Sequence, residues 1–277
     1  MRLRPSEVIS YERDGYVIIP ESFSGSELEL ICDEAERVLG LDIEGKILEG
    51  DALTVRSVNG VHLHSDVLYT FARHPRLLEP AQQLLADEVY IHQFKINAKR
   101  GLNGEVWPWH DDYVFWRNED GMPSPRAINF VLFLDDVAEF NGPMLAVPRT
   151  HRRSLDDDAH EIRKFEPGSD SHDWHHHTSK QLKYTLERSL LQQAIGQNGV
   201  VSLKGARGSI LIFHPCLFHC SSTNSMPWDR RLVIVTYNSV SNGLLERPNP
   251  RPNFMANRNF SPLTLVADDT LMPRSLK

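Results

Sequence analysis

The chain of 277 residues lacks a disulfide framework, an excess of positive charge and a long apolar run. Its three cysteines are too few for a disulfide-rich secreted scaffold, which favours the reducing cytoplasm. A formal net charge of −7 gives a nucleic-acid partner no electrostatic support. The longest apolar runs, such as residues 128–134, are far too short to cross a bilayer. The composition therefore predicts a cytoplasmic globular protein without a membrane or nucleic-acid partner.

Signals of processing, repetition and domain division are also absent from the sequence. Residues 1–5 carry two arginines but no apolar stretch follows them, so no secretory signal peptide is predicted. No internal repeat or linker divides the chain, and residues 1–277 are expected to form a single domain. Within it, residues 149–198 begin with a long polar stretch that is typical of a lid or an insertion.

The hydrophobic spacing changes near residue 85. Up to that point the pattern is mostly helical, and beyond it short alternating apolar runs predict strands. A helical third followed by several short strands predicts a mainly β protein with flanking helices, either a sandwich or a barrel. The strands are expected at 89–97, 106–116, 128–134, 144–147, 199–203, 209–213 and 232–237, with a weak helix at 182–195.

An H-x-D triplet, His110 and Asp112, lies in the predicted strand 106–116. Residues two apart on a strand point to the same side of the sheet, and an inward imidazole and carboxylate are costly there unless something binds them. His219, which follows the apolar strand at 209–213, is the candidate for a third metal ligand. Two histidines and one aspartate suit Fe(II) with three open positions, although zinc also accepts this donor set. The spacing alone equally fits one histidine that caps a strand and another that is satisfied within the core.

Arg230 follows His219 after eleven residues and precedes the predicted strand 232–237. A guanidinium near a metal can grip the distal carboxylate of a dicarboxylate co-substrate through two parallel hydrogen bonds. With its neighbour Arg231, it would also fit a pair of solvated cations at the entrance of a strand.

Further motifs surround these residues, at 90–99, 104–107, 141–144, 148–151, 219–224 and 235–238. Together with the H-x-D triplet and Arg230 they resemble the phytanoyl-CoA dioxygenase family of Fe(II)/2-oxoglutarate oxygenases. The resemblance extends from about residue 54 to residue 242 and is weak between 152 and 198. Within the family, the segments look closest to bacterial free L-proline trans-4-hydroxylases, with ectoine hydroxylases next.

This resemblance implies a double-stranded β-helix, which is a cupin-like jelly-roll of two facing sheets with the metal between them. It implies that His110, Asp112 and His219 hold Fe(II). Arg230 would bind the distal carboxylate of 2-oxoglutarate, and Ser221 would assist it.

The resemblance also assigns residues to the neighbouring pockets. Asn97 and Trp107 would contact 2-oxoglutarate, whereas Gln93 and Trp116 match positions that face the substrate in ectoine hydroxylases. Tyr113, which precedes Trp116 by three residues, is a further candidate for the substrate wall.

The activity implied by the resemblance is hydroxylation of a small free amino acid, with L-proline or a proline-like amino acid first. Dioxygen and 2-oxoglutarate would be consumed, and succinate and CO2 would be formed. Alternatives are another small metabolite (ectoine, a leucine-like amino acid or a natural-product intermediate) and a non-catalytic metal-binding jelly-roll module. Asp112 favours hydroxylation, because related halogenases place a halide where this carboxylate stands. Asp111, between the ligands, is predicted to point away from the metal.

The partners of the substrate carboxylate and the role of the histidine-rich run 172–177 remain open at the level of sequence. Arg56, Arg117 and Arg126 are the candidates for the carboxylate, and His92 could contribute to the pocket wall. The histidine-rich run would fit a second metal site, although a polar lid or surface loop explains it as well.

Overall fold

The structure is a computed structural model that describes residues 1–154, 160–163, 173–178 and 181–272. Six α-helices occur in these residues, and α5 continues into a π-helical turn, Trp116–Asp120. None of the described helices is both long and apolar enough to cross a membrane. The helices are α1 (Pro5–Asp14), α2 (Gly25–Gly40), α3 (Asp66–Ala72), α4 (Pro75–Leu85), α5 (Tyr113–Phe115) and α6 (Arg188–Asn198).

Two antiparallel sheets face each other and form the predicted jelly-roll. The strands of the described chain are β1 (Tyr16–Ile19), β2 (Lys46–Leu48), β3 (Val55–Asn59), β4 (Val89–Lys99), β5 (Trp107–His110), β6 (Ala127–Phe133), β7 (Met144–Val147), β8 (His160–Ile162), β9 (Tyr184–Leu186), β10 (Val201–Leu203), β11 (Ile210–Phe213), β12 (Phe218–Ser221) and β13 (Arg230–Ser239). The large sheet has the order β1-β11-β6-β13-β4-β3-β2, and the small sheet has the order β10-β7-β12-β5. Strands β8 and β9 pair with each other inside the polar segment 149–198.

Apolar and polar side chains alternate along β4, and the helices cover the side of the large sheet on which the apolar ones lie. Phe94, Ile96 and Ala98 are buried in the main apolar cluster, together with core residues from α2, α3 and α4. Each large apolar side chain buried in this way stabilises the fold by roughly 1.5–3 kcal/mol. The residues between them, such as Lys95 and Asn97, therefore face the small sheet, where the metal centre was predicted.

The space between the two sheets is lined by both apolar and polar side chains. Val131, Phe133 and Leu211 of the large sheet pack with Leu203 of the small sheet in a second cluster. These apolar residues and the polar residues of the inner face line one cavity between the two sheets.

The predicted strand 106–116 is wrong beyond His110. Strand β5 ends there, and Asp112 has helical backbone angles at the start of the turn that leads into α5. The backbone N–H of Asp112 donates to the Pro215 carbonyl, and that of Val114 donates to the Asp111 carboxylate, which caps the new helix. The weak helix expected at 182–195 is likewise divided into β9 and α6.

Candidate metal centre

His110, Asp112 and His219 converge between the two sheets. One ligand atom from each residue lies within 4.8 Å of the others, and no other such group of three occurs in the described residues. Strands β5 and β12 pair so that His219 lies directly opposite His110, and their ring centroids are 4.2 Å apart. The nearest Asp112 oxygen, Oδ1, is 3.8 Å from His110 Nε2 and 4.0 Å from His219 Nε2.

Both histidines present Nε2 to the shared space because their other nitrogen is engaged. Nδ1 of His110 lies 2.6 Å from the Pro108 carbonyl, and Nδ1 of His219 lies 2.8 Å from the Leu217 carbonyl. The carbonyl accepts a hydrogen bond from Nδ1–H, and in this tautomer the lone pair of the neutral ring is on Nε2. Burial, followed by the proximity of His219, lowers the pKa of His110 to about 3, so this imidazole is neutral at physiological pH. Two imidazoles and one carboxylate fit Fe(II) with positions left open.

A first cavity, the Arg230 chamber, lies on one side of this cluster and is lined by Asn97, Asn129, Ser221 and Arg230 together with apolar residues. Arg230 is 2% exposed, and one of its nitrogens, Nη2, donates to the Gly142 carbonyl. Its Nε and the Oδ1 of Asn97 are buried without a hydrogen-bond partner in the described structure. Burial lowers the pKa of Arg230 to about 9, which still leaves it a cation at neutral pH. A buried guanidinium without a carboxylate partner among the described residues fits an anionic ligand.

Trp107 lines the Arg230 chamber beside the cluster, and Arg56 holds its ring in place. The Arg56 guanidinium lies 3.9 Å from the centre of the Trp107 ring, in a cation–π contact. Its nitrogens donate to Glu49 Oε2 (2.8 Å) and to the Val106 and Thr178 carbonyls (2.9 and 3.0 Å). Arg56 is thus a buried brace and not a group that points into a cavity.

A second cavity, the Trp116 chamber, also borders the cluster. Four residues line both cavities, namely Lys95, Trp107, His110 and Asp112. The remaining wall of the Trp116 chamber is more polar and includes Ser57, Asn59, Gln93, Trp116, Arg251 and Met255. The two cavities therefore meet at the cluster, where one ligand could react with another.

Lys95 is the basic residue at the border between the chambers. It projects from the inner face of β4, between Gln93 and Asn97. Burial lowers its pKa, and the nearby Asp112 opposes that shift. Within the described residues its ammonium has no hydrogen bond or ion pair, so a carboxylate ligand would complete its surroundings.

Two of the three residues predicted to face the substrate line the Trp116 chamber. The Gln93 amide donates to the Met255 carbonyl at 2.6 Å, and the Trp116 ring packs edge-on against His92. Tyr113 has a different environment: its hydroxyl donates to the Pro123 carbonyl at 3.1 Å, and its ring lies in an apolar cluster. Its contacts are those of a packing residue.

The arginine candidates for the substrate carboxylate are contradicted by their positions. Arg56 is fully engaged, as described, and Arg117 and Arg126 are exposed. The arginine in the Trp116 chamber is Arg251, whose guanidinium makes two hydrogen bonds of 2.7 and 2.6 Å to Asp120. Although burial opposes the effect, Arg251 lowers the pKa of Asp120 to about 2.

Asp111 points away from the metal cluster, as predicted. Its Oδ2 lies 2.7 Å from His160 Nε2 and 3.3 Å from an Arg153 nitrogen. Burial would raise its pKa, but these two partners hold the pKa of Asp111 below its ordinary value. Asp111 thereby fastens β8 to the end of β5. Of the histidine-rich run, residue 172 and the side chains of 176 and 177 lie outside the described structure, so a second metal site there stays a prediction.

Sequence reasoning missed Lys95, Asn129 and Arg251. The first two had a signal: Lys95 alternates with Gln93 and Asn97 along a strand, and Asn129 interrupts an apolar strand. A polar residue in such a position is buried at a cost unless it has a partner. Arg251 had no comparable signal, because it lies in a segment without regular structure.

The sequence matches one protein-family model, described as phytanoyl-CoA dioxygenase (PhyH), over residues 11–232. It is 35% identical over 267 residues to L-proline trans-4-hydroxylase from Streptomyces griseoviridis, covering 95% of this chain and 96% of that protein. It is also 35% identical over 264 residues to ectoine dioxygenase from Bordetella bronchiseptica, covering 92% of this chain and 83% of that protein.

Solved structures of EctD from S. alaskensis have the same fold. The structure with 2-oxoglutarate and 5-hydroxyectoine has a TM-score of 0.81 at 28% identity, and the structure with bound Fe has a TM-score of 0.80 at 29% identity. Each covers 95% of this chain and 87% of the EctD chain.

Proposed function

The chain belongs to the phytanoyl-CoA dioxygenase family and is a 2-oxoglutarate-dependent dioxygenase, and we propose that its substrate is a small free amino acid, L-proline or a proline-like amino acid. Fe(II), 2-oxoglutarate and dioxygen are the cofactor and co-substrates. One observation carries the proposal: the His110–Asp112–His219 cluster lies where a chamber with the buried cation Arg230 meets a second chamber, and the amine-bearing side chain of Lys95 lines both.

In this proposal, His110, Asp112 and His219 hold the iron through two Nε2 atoms and one carboxylate oxygen. Iron bound there, with 2-oxoglutarate and dioxygen, supplies the oxidising power that places one oxygen atom in succinate and the other in a substrate C–H bond, with release of CO2. The carbonyls of Pro108 and Leu217 keep both imidazoles in the tautomer that such binding needs.

The Arg230 chamber holds 2-oxoglutarate in this proposal. Arg230 binds the distal carboxylate, Ser221 assists it, and Asn97 and Trp107 contact the same molecule. The unpartnered Arg230 Nε supports this, because a buried donor is normally paired in native structures and a carboxylate would accept from it. The Arg56 brace keeps the Trp107 ring fixed against the ligand.

The Trp116 chamber holds the amino acid, with Lys95 as the partner of its carboxylate. Gln93 and Trp116 form the wall that orients the ring, so that one C–H bond faces the metal. Position relative to the metal decides which bond reacts, because a misplacement of 1 Å can reduce the rate about 100-fold. The same cavity is also consistent with ectoine, which carries a carboxylate too, and the similarity to ectoine dioxygenases makes it the second candidate.

We also propose that residues 1–277 form one domain, with the segment 149–198 as an insertion that carries β8, β9 and α6. The proposed compartment is the cytoplasm, which fits the three unpaired cysteines, Cys32, Cys216 and Cys220.

A screen of free amino acids and ectoine tests the substrate. Each compound is incubated with the protein, Fe(II), 2-oxoglutarate and air, and succinate is compared with hydroxylated product by mass spectrometry. We expect L-proline or a cyclic analogue to give the two products in equal amounts, with the position of the hydroxyl read by NMR. Product from ectoine alone would replace the amino-acid proposal by the second candidate.

A further inference from the structure

Asn129 lies beside the metal cluster in an arrangement that involves Thr236 as well. It is in the middle of β6, is 1% exposed, and pairs across the sheet with Thr236 of β13. The Asn129 amide nitrogen donates to Asp112 Oδ2 at 2.8 Å, and the Thr236 hydroxyl donates to the Asn129 amide oxygen at 2.6 Å. Thr236 is also 1% exposed, so its hydrogen bond to Asn129 is sheltered from water.

The direction of these hydrogen bonds is fixed by the chemistry of the groups. A carboxylate can only accept, so the amide must present its nitrogen to Asp112. Its oxygen then faces Thr236, whose hydroxyl is able to donate. The reverse orientation would bring the amide oxygen against the carboxylate and place two acceptors in contact.

Asp112 differs from the two histidines in how it is supported. His110 and His219 lie in strands, and the backbone carbonyls of Pro108 in β5 and of Leu217 just before β12 fix their rings. Asp112 follows the end of β5 and lies at the start of a helical turn, outside the ladder of either sheet. The side chain of Asn129, from the opposite sheet, fixes the Asp112 carboxylate through a hydrogen bond, in place of the backbone contacts that fix the histidines.

We propose that Asn129 is a positioning residue that makes Asp112 bind the metal through one oxygen, and that Thr236 fixes the orientation of Asn129. With Oδ2 engaged by Asn129, Oδ1 is the atom that faces both histidines, at 3.8 and 4.0 Å from their Nε2 atoms. Binding through a single oxygen leaves three positions on a six-coordinate ion, whereas binding through both oxygens would leave two. An iron ion held there would need the first arrangement if it were to bind both 2-oxoglutarate and dioxygen.

This inference rests on the proposed metal site, and it is tested with metal alone. Co(II) is titrated anaerobically into the metal-free protein without 2-oxoglutarate, and the dissociation constant and the visible d–d bands are recorded. The variants are N129A, T236V and T236S, where serine keeps the hydroxyl that valine lacks. Circular dichroism and thermal unfolding of the metal-free proteins establish that each variant is folded.

We expect N129A to bind Co(II) about 10–100-fold more weakly, as is typical when the partner of a metal ligand is removed. Its d–d bands should change as well, since a freed carboxylate can turn to bind through both oxygens. T236V should weaken binding by a smaller factor, about 3–10-fold, and T236S should match the wild type.

Wild-type affinity and an unchanged spectrum in folded N129A would overturn the inference, and would fit an Asn129 that serves only 2-oxoglutarate. If N129A does not fold, the comparison of T236V with T236S decides, and equal dissociation constants for these two would reject the role of the pair. Failure of the wild type to bind Co(II) would instead reject the metal site itself.

Discussion

The Arg230 chamber and the Trp116 chamber share one border but are built from different parts of the chain. Asn97, Asn129, Ser221 and Arg230 all project from strands of the two sheets, so ladder hydrogen bonds fix the backbone beneath each of them. In the Trp116 chamber, β3 and β4 supply part of the wall, and the rest comes from a π-helical turn, from residue 178 and from the C-terminal segment around Arg251. In the proposed assignment, the co-substrate is held by strands of the two sheets, and the substrate is held in part by segments outside them.

Loss of a metal ligand should affect both chambers at once and gives the largest expected effect. H219A and D112A should abolish formation of succinate and of hydroxylated product, because the remaining two ligands do not hold the metal that both chambers use. The assay measures both products, and H64A, which replaces an exposed histidine, is the control. Full activity in either ligand variant would show that the metal is bound elsewhere.

A change at Arg230 should affect binding of 2-oxoglutarate but not binding of the amino acid. R230A should raise the KM for 2-oxoglutarate about 100-fold, equivalent to about 3 kcal/mol for a buried charge pair, and leave the KM for the amino acid nearly unchanged. R231A is a matched control, since its side chain pairs with Asp135 and Glu36 on the outside. Equal KM values for 2-oxoglutarate in the two variants would contradict the assignment of the Arg230 chamber.

Replacement of Lys95 should have the complementary effect. K95M keeps the length of the side chain but removes the ammonium, and it should raise the KM for the amino acid about 10–100-fold through loss of a hydrogen bond to a charged group. The KM for 2-oxoglutarate should change less. K204M, at an exposed lysine that pairs with Glu139, is the control. If K95M raised the KM for 2-oxoglutarate more than the KM for the amino acid, Lys95 would be assigned to binding of 2-oxoglutarate instead.

The pH dependence of amino-acid binding should give the smallest and most specific effect. Burial lowers the pKa of Lys95, so its cationic form, which binds a carboxylate, is fully present at low pH and is lost as the pH rises through that pKa. The KM for the amino acid should therefore rise on the alkaline side. In K95R the positive charge persists to higher pH, because arginine loses its proton later than lysine. The rise in the KM for the amino acid should therefore occur at a higher pH than in the wild type. Profiles that coincide for wild type and K95R would assign the titration to another group.

The contrast between residues in regular strands and residues in irregular segments also explains which parts of the site the sequence could predict. His110, His219 and Arg230 lie in or beside regular strands, where spacing and alternation indicate which side chains share a face, and the structure brings them together. Asp112 was paired with His110 for a reason that proved wrong, since it belongs to a helical turn begun by local hydrogen bonds to Asp111 and Pro215. The metal cluster was nevertheless found, because the family resemblance did not depend on that strand.

The Trp116 chamber was harder to predict because its walls come from distant segments. Arg251 reaches it from a region without alternation or periodicity, and its pairing with Asp120 joins residues 131 positions apart. Arg56 was a reasonable candidate for the substrate carboxylate by charge alone, but three hydrogen bonds that depend on tertiary contacts retain it elsewhere. Lys95, by contrast, could have been identified from its alternation with Gln93 and Asn97.

A crystal structure determined without oxygen, with Mn(II), 2-oxoglutarate and L-proline, tests the assignment of the two chambers most directly. We predict the distal carboxylate of 2-oxoglutarate at Arg230, and the amino acid between Gln93 and Trp116 with its carboxylate on Lys95. Density for 2-oxoglutarate in the Trp116 chamber, or an amino acid bound away from that chamber at saturating concentration, would contradict the account.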